Sequence, residues 1–154
     1  MTTTLWKRNV IGAVVAAAAL AVIAVFIVNP SWQNYQRTVW PAHTAPAGEP
    51  IDVDGQTWRV RNASRSTERP GYGAPLPEGT VLMKVTLERS GPPEAGFGCA
   101  GYLVDGERSW RAAGPPCGTA TSMPWTFTIP ASAEPTAVDV RDLGGSILIR
   151  LQLS

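Results

Sequence analysis

The chain has 154 residues, with 13 lysines and arginines against 12 aspartates and glutamates, one histidine and two cysteines. This length suits one modest domain with a short additional segment, and it excludes a large multidomain enzyme. A formal net charge of +1 argues against electrostatic binding of nucleic acid, so no nucleic-acid partner is expected. A single histidine argues against histidine-rich metal sites and catalytic triads.

The first distinctive element is an apolar run near the N-terminus. Residues 10–28 read VIGAVVAAAALAVIAVFIV and contain no charged side chain. A helix of this length covers about 28 Å, which is close to the hydrocarbon thickness of a bilayer. Lys7 and Arg8 precede the run. The positive-inside rule therefore predicts a single-pass protein of the cell membrane, with residues 1–9 in the cytoplasm and the remainder outside it.

The alternative interpretation of this run is a cleavable signal peptide. Signal peptides have an apolar region of about 7–15 residues, followed closely by a small-x-small cleavage site. The run in this chain is longer, and the Asn29-Pro30-Ser31-Trp32 segment behind it is a poor cleavage site. The sequence therefore favours an uncleaved signal anchor.

Alanine dominates the predicted transmembrane helix, and its spacing suggests helix pairing. Small residues four positions apart lie on one helix face and let two helices approach closely. The helix-packing candidates are Gly12, Ala16, Ala13, Ala17 and Ala21. The alternative is that a run so rich in alanine produces this spacing by chance, without any helix pairing.

The segment after the anchor lacks both hydrophobic periods. Residues 29–49 mix Pro, Trp, Gln, Thr and Ala, and the stretch PAHTAPAGEP is typical of an extended, proline-stiffened stalk. His43 lies in this stretch and is interpreted as a solvated stalk residue.

From residue 50 onward the pattern changes to short alternating runs between Gly and Pro turns. Asp54-Gly55 and Asp105-Gly106 are hairpin turn signals. The period of two predicts about eight strands, and no segment shows a helical period. An antiparallel sandwich or barrel over residues 50–154 is expected. The predicted strands lie around residues 51–53, 57–61, 81–87, 97–103, 109–111, 125–129, 138–140 and 147–153.

Cys99 lies on a predicted strand and Cys117 in the Gly/Pro-rich stretch that follows. Both are predicted to lie outside the membrane, where disulfides persist, and closing a loop of this size contributes about 3 kcal/mol in the chain-entropy model. The spacing offers no close redox pair, and the cysteines and the histidine cannot supply the four ligands of a zinc site. A structural disulfide is predicted.

Several short patterns in the sequence match catalytic or nucleotide-binding motifs but lack the structural context that the chemistry needs. Residues 96–101 match G-x-G-x-x-G, but a strand and a hairpin follow where a dinucleotide site needs a helix, so no nucleotide is expected. These glycines are interpreted as serving a bulge or a close backbone approach. Turn chemistry explains Asp54 and Asp105, and no other carboxylates are brought together as a glycosidase requires. A catalytic Ser-Lys pair would have to use Lys84, which lies mid-strand on a polar face and is interpreted as a solvated strand residue. No enzyme activity, catalytic residue, cofactor or metal is predicted.

Two arginine and aromatic clusters are candidates for binding a partner, since Arg and aromatic side chains dominate interface hot spots. The first cluster, Arg65, Arg69 and Tyr72, lies just before and within a long Gly/Pro-rich loop over residues 67–79. Long loops in compact domains are functional or disordered, so a flexible surface loop is the alternative. The second lies on a predicted strand, where a simple sheet-face cluster is the alternative. The partner-binding candidates are Arg65, Arg69, Tyr72, Arg108, Trp110 and Arg111.

The order of anchor, stalk and all-β domain resembles small membrane proteins of actinobacteria. The strand at residues 81–87 (VLMKVTL), then Cys99, then LVDGERSW at residues 103–110 are similar to the immunoglobulin-like outer domains of the DUF4352 (telomere repeat-binding-factor-like) group. The resemblance covers residues 50–154. It implies an extracytoplasmic, immunoglobulin-like β-sandwich and carries over no catalytic residues.

These observations favour a membrane-anchored, extracytoplasmic protein-binding or scaffold module of the bacterial cell envelope that is not an enzyme. The expected fold is all-β, an antiparallel immunoglobulin-like sandwich preceded by one N-terminal transmembrane helix. The expected partner is another envelope or membrane protein. One alternative is an accessory subunit of a larger membrane complex, docked through the Ala-rich helix. A second alternative is an envelope hydrolase.

Overall fold

A computed structural model describes residues 2–67, 75–91, 98–114 and 116–153. The chain divides into two compact units, Met1–Arg37 and Thr38–Ser154. The first unit is helical and the second is built from strands. The predicted division into an apolar helix and a β domain therefore agrees with the fold at this level.

The helical unit contains α1 (Thr2–Ile23), a π-helical segment (Ala24–Val28) and the start of α2 (Asn29–Val39). In the described part of the chain, one helix is long and apolar enough to cross a membrane, and it covers Asn9–Val39. The mean hydropathy of its most apolar window is 3.0, and none of that window is buried. The length and composition of this helix are what a membrane span requires.

The helix continues past residue 28, where an extended stalk was predicted. Pro30 lacks an N–H, and its ring crowds the carbonyl four residues earlier. The π-helical turn lies at this point, where the Asn29 N–H donates to the Ala24 carbonyl, five residues before it. Because the wider turn accommodates the proline, the chain stays helical as far as Val39. The stalk interpretation of residues 29–49 therefore differs from the structure.

The described residues of the second unit form nine strands in two sheets. Sheet A has the order β1-β9-β8-β5-β6, and sheet B has the order β2-β3-β4-β7. The strands are β1 (His43–Ala45), β2 (Ile51–Val53), β3 (Gln56–Ser66), β4 (Thr80–Ser90), β5 (Cys99–Asp105), β6 (Arg108–Arg111), β7 (Ser122–Pro130), β8 (Ala137–Asp142) and β9 (Ile147–Gln152). Strands β2 to β9 correspond to the eight that the alternation predicted.

Strand β1 corrects the purely antiparallel prediction. It runs parallel to β9, with His43 opposite Ile149 and Ala45 opposite Leu151, so sheet A is mixed. His43 is exposed but lies on this strand, not in a stalk. Only Ala45 of the three residues is buried, and one buried side chain is too little to produce a detectable period.

The core lies between the two sheets because each strand turns alternate residues inward. Sheet B contributes the largest buried side chains, and sheet A faces them with branched aliphatic residues. Each fully buried side chain of this size contributes about 1.5–3 kcal/mol. The fully buried apolar side chains include Trp58, Trp125, Phe127, Leu87, Leu103, Ile129, Ile149, Leu151, Val85, Val138 and Val140.

Strand β3 changes character at its middle. Gln56 and Trp58 are buried, whereas all residues over 61–66 are exposed. The register to β4 shifts between Val60 and Asn62, so a β-bulge leaves an extra residue between them. Strand β2 pairs only with the first three residues of β3. In the described part of the chain, the rest of β3 is therefore a sheet edge.

Candidate functional site

The two ends of the β domain differ and are called the disulfide end and the groove end. The disulfide end is where β4 ends and β5 begins, around Arg89, Cys99 and Cys117. The groove end is where β3 and β9 end, around Arg65 and Leu153.

At the disulfide end, Cys99 and Cys117 lie at disulfide distance and are joined, with their Cα atoms 5.0 Å apart. The Cys117 N–H also donates to the Cys99 carbonyl at 3.0 Å. Both residues are fully buried. The bridge ties the start of β5 to the connection between β6 and β7, which is the structural role expected for it.

Arg89 is buried beside this bridge, with 2% of its surface exposed. Its Nη2 donates to the Gly118 carbonyl at 2.9 Å and to the Ala120 carbonyl at 2.8 Å. The guanidinium carbon lies 5.2 Å from the centre of the Trp58 ring. Burial lowers the pKa of Arg89. The side chain therefore holds the loop that carries Cys117, so its contacts stabilise the fold.

The groove end carries an open concavity of 610 Å³. It lies beside the exposed half of β3, which continues beyond the cover of sheet A. Its charged lining residues are Arg61, Arg65 and Glu134. Its apolar lining residues are Val60, Ala63, Met83, Pro135 and Leu153. Its lining also includes the polar residues Asn62, Ser64 and Gln152, so the groove mixes apolar side chains with a larger share of polar surface.

A loop at residues 131–136 connects the two arginine clusters at this end. The Arg65 guanidinium donates to the Ala133 carbonyl. The Glu134 N–H donates to Asp105 Oδ2 at 3.2 Å, and Arg108 Nη2 donates to the same oxygen at 2.5 Å. The structure thus joins Arg65 and Arg108, which lie on different sheets, through one loop.

The remaining candidates have different positions. The guanidinium carbon of Arg108 lies 5.7 Å from the centre of the Trp110 ring, and Trp110 is half-buried against the core. Arg111 is exposed and pairs in register with Tyr102. Arg69 and Tyr72 lie outside the described residues. Gly12, Ala13, Ala16, Ala17 and Ala21 lie on α1 and are exposed in the helical unit.

Sequence reasoning missed a buried ion cluster on β8 and β9. Asp139 is 0% exposed and accepts Arg150 Nε at 2.7 Å and Arg150 Nη2 at 2.9 Å. Arg141 Nη2 donates to the same carboxylate at 3.0 Å, and its guanidinium carbon lies 4.4 Å from the centre of the Tyr102 ring. The hydrogen bond to Asp139 raises the pKa of Arg150. Nothing in the strand period could distinguish this carboxylate from a solvated one.

A second ion cluster flanks the bulge in β3. Glu88 accepts hydrogen bonds from the guanidinium groups of Arg59 and Arg61, the latter at 2.5 Å. The hydrogen bond from Arg59, together with the bond from Arg61, holds the pKa of Glu88 below its ordinary value of 4.5. Arg59 and Arg61 remain exposed, at 60% and 67% of their side-chain surface. The free edge therefore carries two accessible guanidinium groups that share one carboxylate.

The β domain has another cavity, of 420 Å³, lined by His43, Asp54, Trp58 and Asp142 among others. Among the described residues, no group of three or more His, Cys, Asp or Glu could hold a metal ion. Of the residues in the G-x-G-x-x-G match, Gly101 is buried, and a Cβ there would overlap the Trp125 ring. This glycine is needed for close packing of a side chain, not of the backbone.

Comparisons of the chain with protein-family models, curated proteins and solved structures found no match. The resemblance to the DUF4352 group therefore stays a prediction.

Proposed function

We propose that the chain is a membrane-anchored, extracytoplasmic protein-binding or scaffold module of the cell envelope that acts without catalysis. The observation that carries this proposal is an open 610 Å³ groove beside a free strand edge, in a chain that also has a helix of membrane-spanning length. Such grooves and edges recognise other polypeptides through main-chain hydrogen bonds and side-chain pockets.

The proposal places the N-terminus in the cytoplasm and the β domain outside. Lys7 and Arg8 support this orientation through the positive-inside rule. The bridge between Cys99 and Cys117 supports it independently, because disulfides persist in oxidising compartments. A Thr119→Cys variant, with the new thiol at an exposed position of the β domain, should be modified by an impermeant thiol reagent in intact cells. Labelling that needs cell lysis would reverse the orientation.

The domain is proposed to be an immunoglobulin-like sandwich. The chain changes sheets from β4 to β5, from β6 to β7 and from β7 to β8, while β5-β6 and β8-β9 are hairpins within one sheet. Repeated crossing between two facing sheets is typical of Greek-key sandwiches. Strand β1, which runs parallel to β9, is the departure from a simple antiparallel arrangement.

Ionic contacts support a non-enzymatic role. Asp139, Asp105 and Glu88 each accept hydrogen bonds from arginine side chains within the domain. Carboxylates held in this way serve the fold, whereas a general acid or base must exchange its proton with a substrate. Turnover of peptidoglycan or polysaccharide by the purified full chain would favour the hydrolase alternative instead.

Crosslinking in intact cells tests the proposal directly. A photoreactive amino acid at Ala63, in the groove, should give an adduct with an envelope protein, and the same group at Thr119, exposed at the disulfide end, should not. Adducts that depend on the helix, and are lost in a Gly12→Leu, Ala16→Leu variant but not after changes in the groove, would favour the accessory-subunit alternative. No adduct from any β-domain position would refute the binding role.

A further inference from the structure

The free edge of β3 carries an inference that rests on the proposed function and makes it more specific. We infer that residues 59–65 bind an extended acidic segment of a partner protein as an added strand, with alternate apolar side chains of that segment in the groove. The site consists of the unpaired side of β3 and the groove beside it.

Strand β3 has a sheet edge that extends past its pairing with β2. Strand β2 ends its pairing at Trp58, while β4 pairs with β3 as far as Ser66. Within the described ranges, the side of β3 turned away from β4 therefore presents N–H and C=O groups to solvent over residues 59–65. Exposed edges of this kind bind an extended peptide by strand addition.

The groove beside this edge is lined by apolar side chains from both sides, among other residues. Val60, Ala63 and Met83 line it from sheet B, and Pro135 and Leu153 line it from the opposite side. In an added strand, every second side chain points to the same face, so alternate residues would contact these apolar side chains. The groove thus favours a peptide that alternates apolar and polar residues.

The charges along the edge favour an acidic segment as the occupant. Arg59, Arg61 and Arg65 lie along the edge, and the carboxylates beside them are Glu88 and Glu134. The surplus is positive, and the guanidinium groups of Arg59 and Arg61 are mostly exposed. Carboxylates on the polar face of an added strand would therefore be attracted to it.

The same arginines disfavour a second copy of this chain as the occupant. Antiparallel pairing of β3 with β3 would bring the three arginines of each copy to one interface, and like charges opposite each other are destabilising. The bulge between Val60 and Asn62 also breaks the regular register that self-pairing needs. Both features are ones that edge strands use against self-association.

The test uses the full chain in detergent micelles and a fluorescein-labelled decapeptide of alternating Val and Glu. Fluorescence anisotropy should show binding of this probe, and a decapeptide of alternating Val and Lys should not bind. Arg61→Glu should weaken binding about tenfold or more, which is about 1.4 kcal/mol. Arg37→Glu, the same charge change at an exposed position on α2, should leave binding unchanged.

Two further measurements separate strand addition from simple charge attraction. The probe should slow amide hydrogen exchange at residues 62–65, and Ala63→Trp, which fills the groove without changing charge, should also weaken binding. Equal binding by wild type and Arg61→Glu, or no binding of the Val/Glu peptide, would overturn the inference. Adducts from Ala63 in cells would then keep the binding role while excluding an acidic strand. Dimerisation that Arg61→Glu changes would identify a second copy instead.

Discussion

The two ends of the β domain use similar residues for opposite purposes. At the disulfide end, Arg89 is buried and donates to two carbonyls of the loop that carries Cys117. At the groove end, Arg65 is exposed and bonds one carbonyl across an open concavity. The difference lies in how far the two sheets cover each other. Arginine completes the core where both sheets extend, and it borders a groove where β3 extends alone.

This comparison indicates where stability and binding reside. Contacts near the disulfide end are buried, and removing them exposes unsatisfied groups or leaves cavities. Contacts at the groove end are made by exposed arginine side chains, and surface ion pairs contribute about 0–1 kcal/mol. Substitutions should therefore divide into those that unfold the domain and those that change its surface alone.

The largest effect is expected for Gly101→Ala. A Cβ on Gly101 would overlap the six-membered ring of Trp125, and both residues are buried. Since neither the backbone nor the ring can move freely, the free energy of unfolding should fall by about 3–4 kcal/mol. Gly106→Ala is the control, because it has no neighbour within 4 Å and a positive φ of 59°. That strain should cost about 1 kcal/mol. Urea unfolding followed by tryptophan fluorescence measures both; similar values would refute the packing.

The next effect is expected for the joint substitution of Cys99 and Cys117 by serine. The bridge closes a loop with a sequence separation of 18 residues. Its removal should lower the free energy of unfolding by about 3 kcal/mol in the chain-entropy model. Wild-type protein should lose about the same amount when dithiothreitol is added, whereas the variant should not respond to it. Two free thiols in oxidised, exported protein, counted by mass spectrometry, would contradict the bridge.

The alternating segments could be predicted from sequence because burial on one face repeats every two residues, as in Val81, Val85 and Leu87. Strand β1 could not, because it buries Ala45 alone. The helix over Asn29–Val39 was missed because Pro30 resembles a stop signal, and only a π-helical turn lets the chain pass it.

The sequence predicted the residue types of the candidate site, but it did not predict how those residues are arranged. Arg65 and Arg108 were selected because arginine suits interfaces, and the structure connects them through the loop at residues 131–136. That connection depends on how two sheets meet, which no local pattern encodes. The free edge beyond Trp58 was missed for the same reason, since β2 covers only part of β3.

At the groove end, Arg65→Ala should have a small effect on stability. Its guanidinium donates one hydrogen bond to the Ala133 carbonyl and the side chain is exposed, so the loss should be about 1 kcal/mol. The same urea titration applies. Ser64→Ala, at the neighbouring exposed position, should change the midpoint even less. A loss as large as that from removing the disulfide would show that both ends carry the fold equally.

The smallest effect is expected for Glu88→Gln, and it depends on pH. The pKa of Glu88 lies below 4.5 in the folded chain because Arg59 and Arg61 donate hydrogen bonds to its carboxylate. A lowered pKa means that the contact stabilises the fold above pH 4.5 and that this contribution is lost as the pH falls through the folded value. At pH 7 the variant should therefore melt slightly below wild type, and the two Tm values should converge well below pH 4.5. Glu107→Gln, in an exposed turn, should match wild type at both pH values. A difference between wild type and Glu88→Gln that persists in acid would mean that the carboxylate contributes through packing instead of charge.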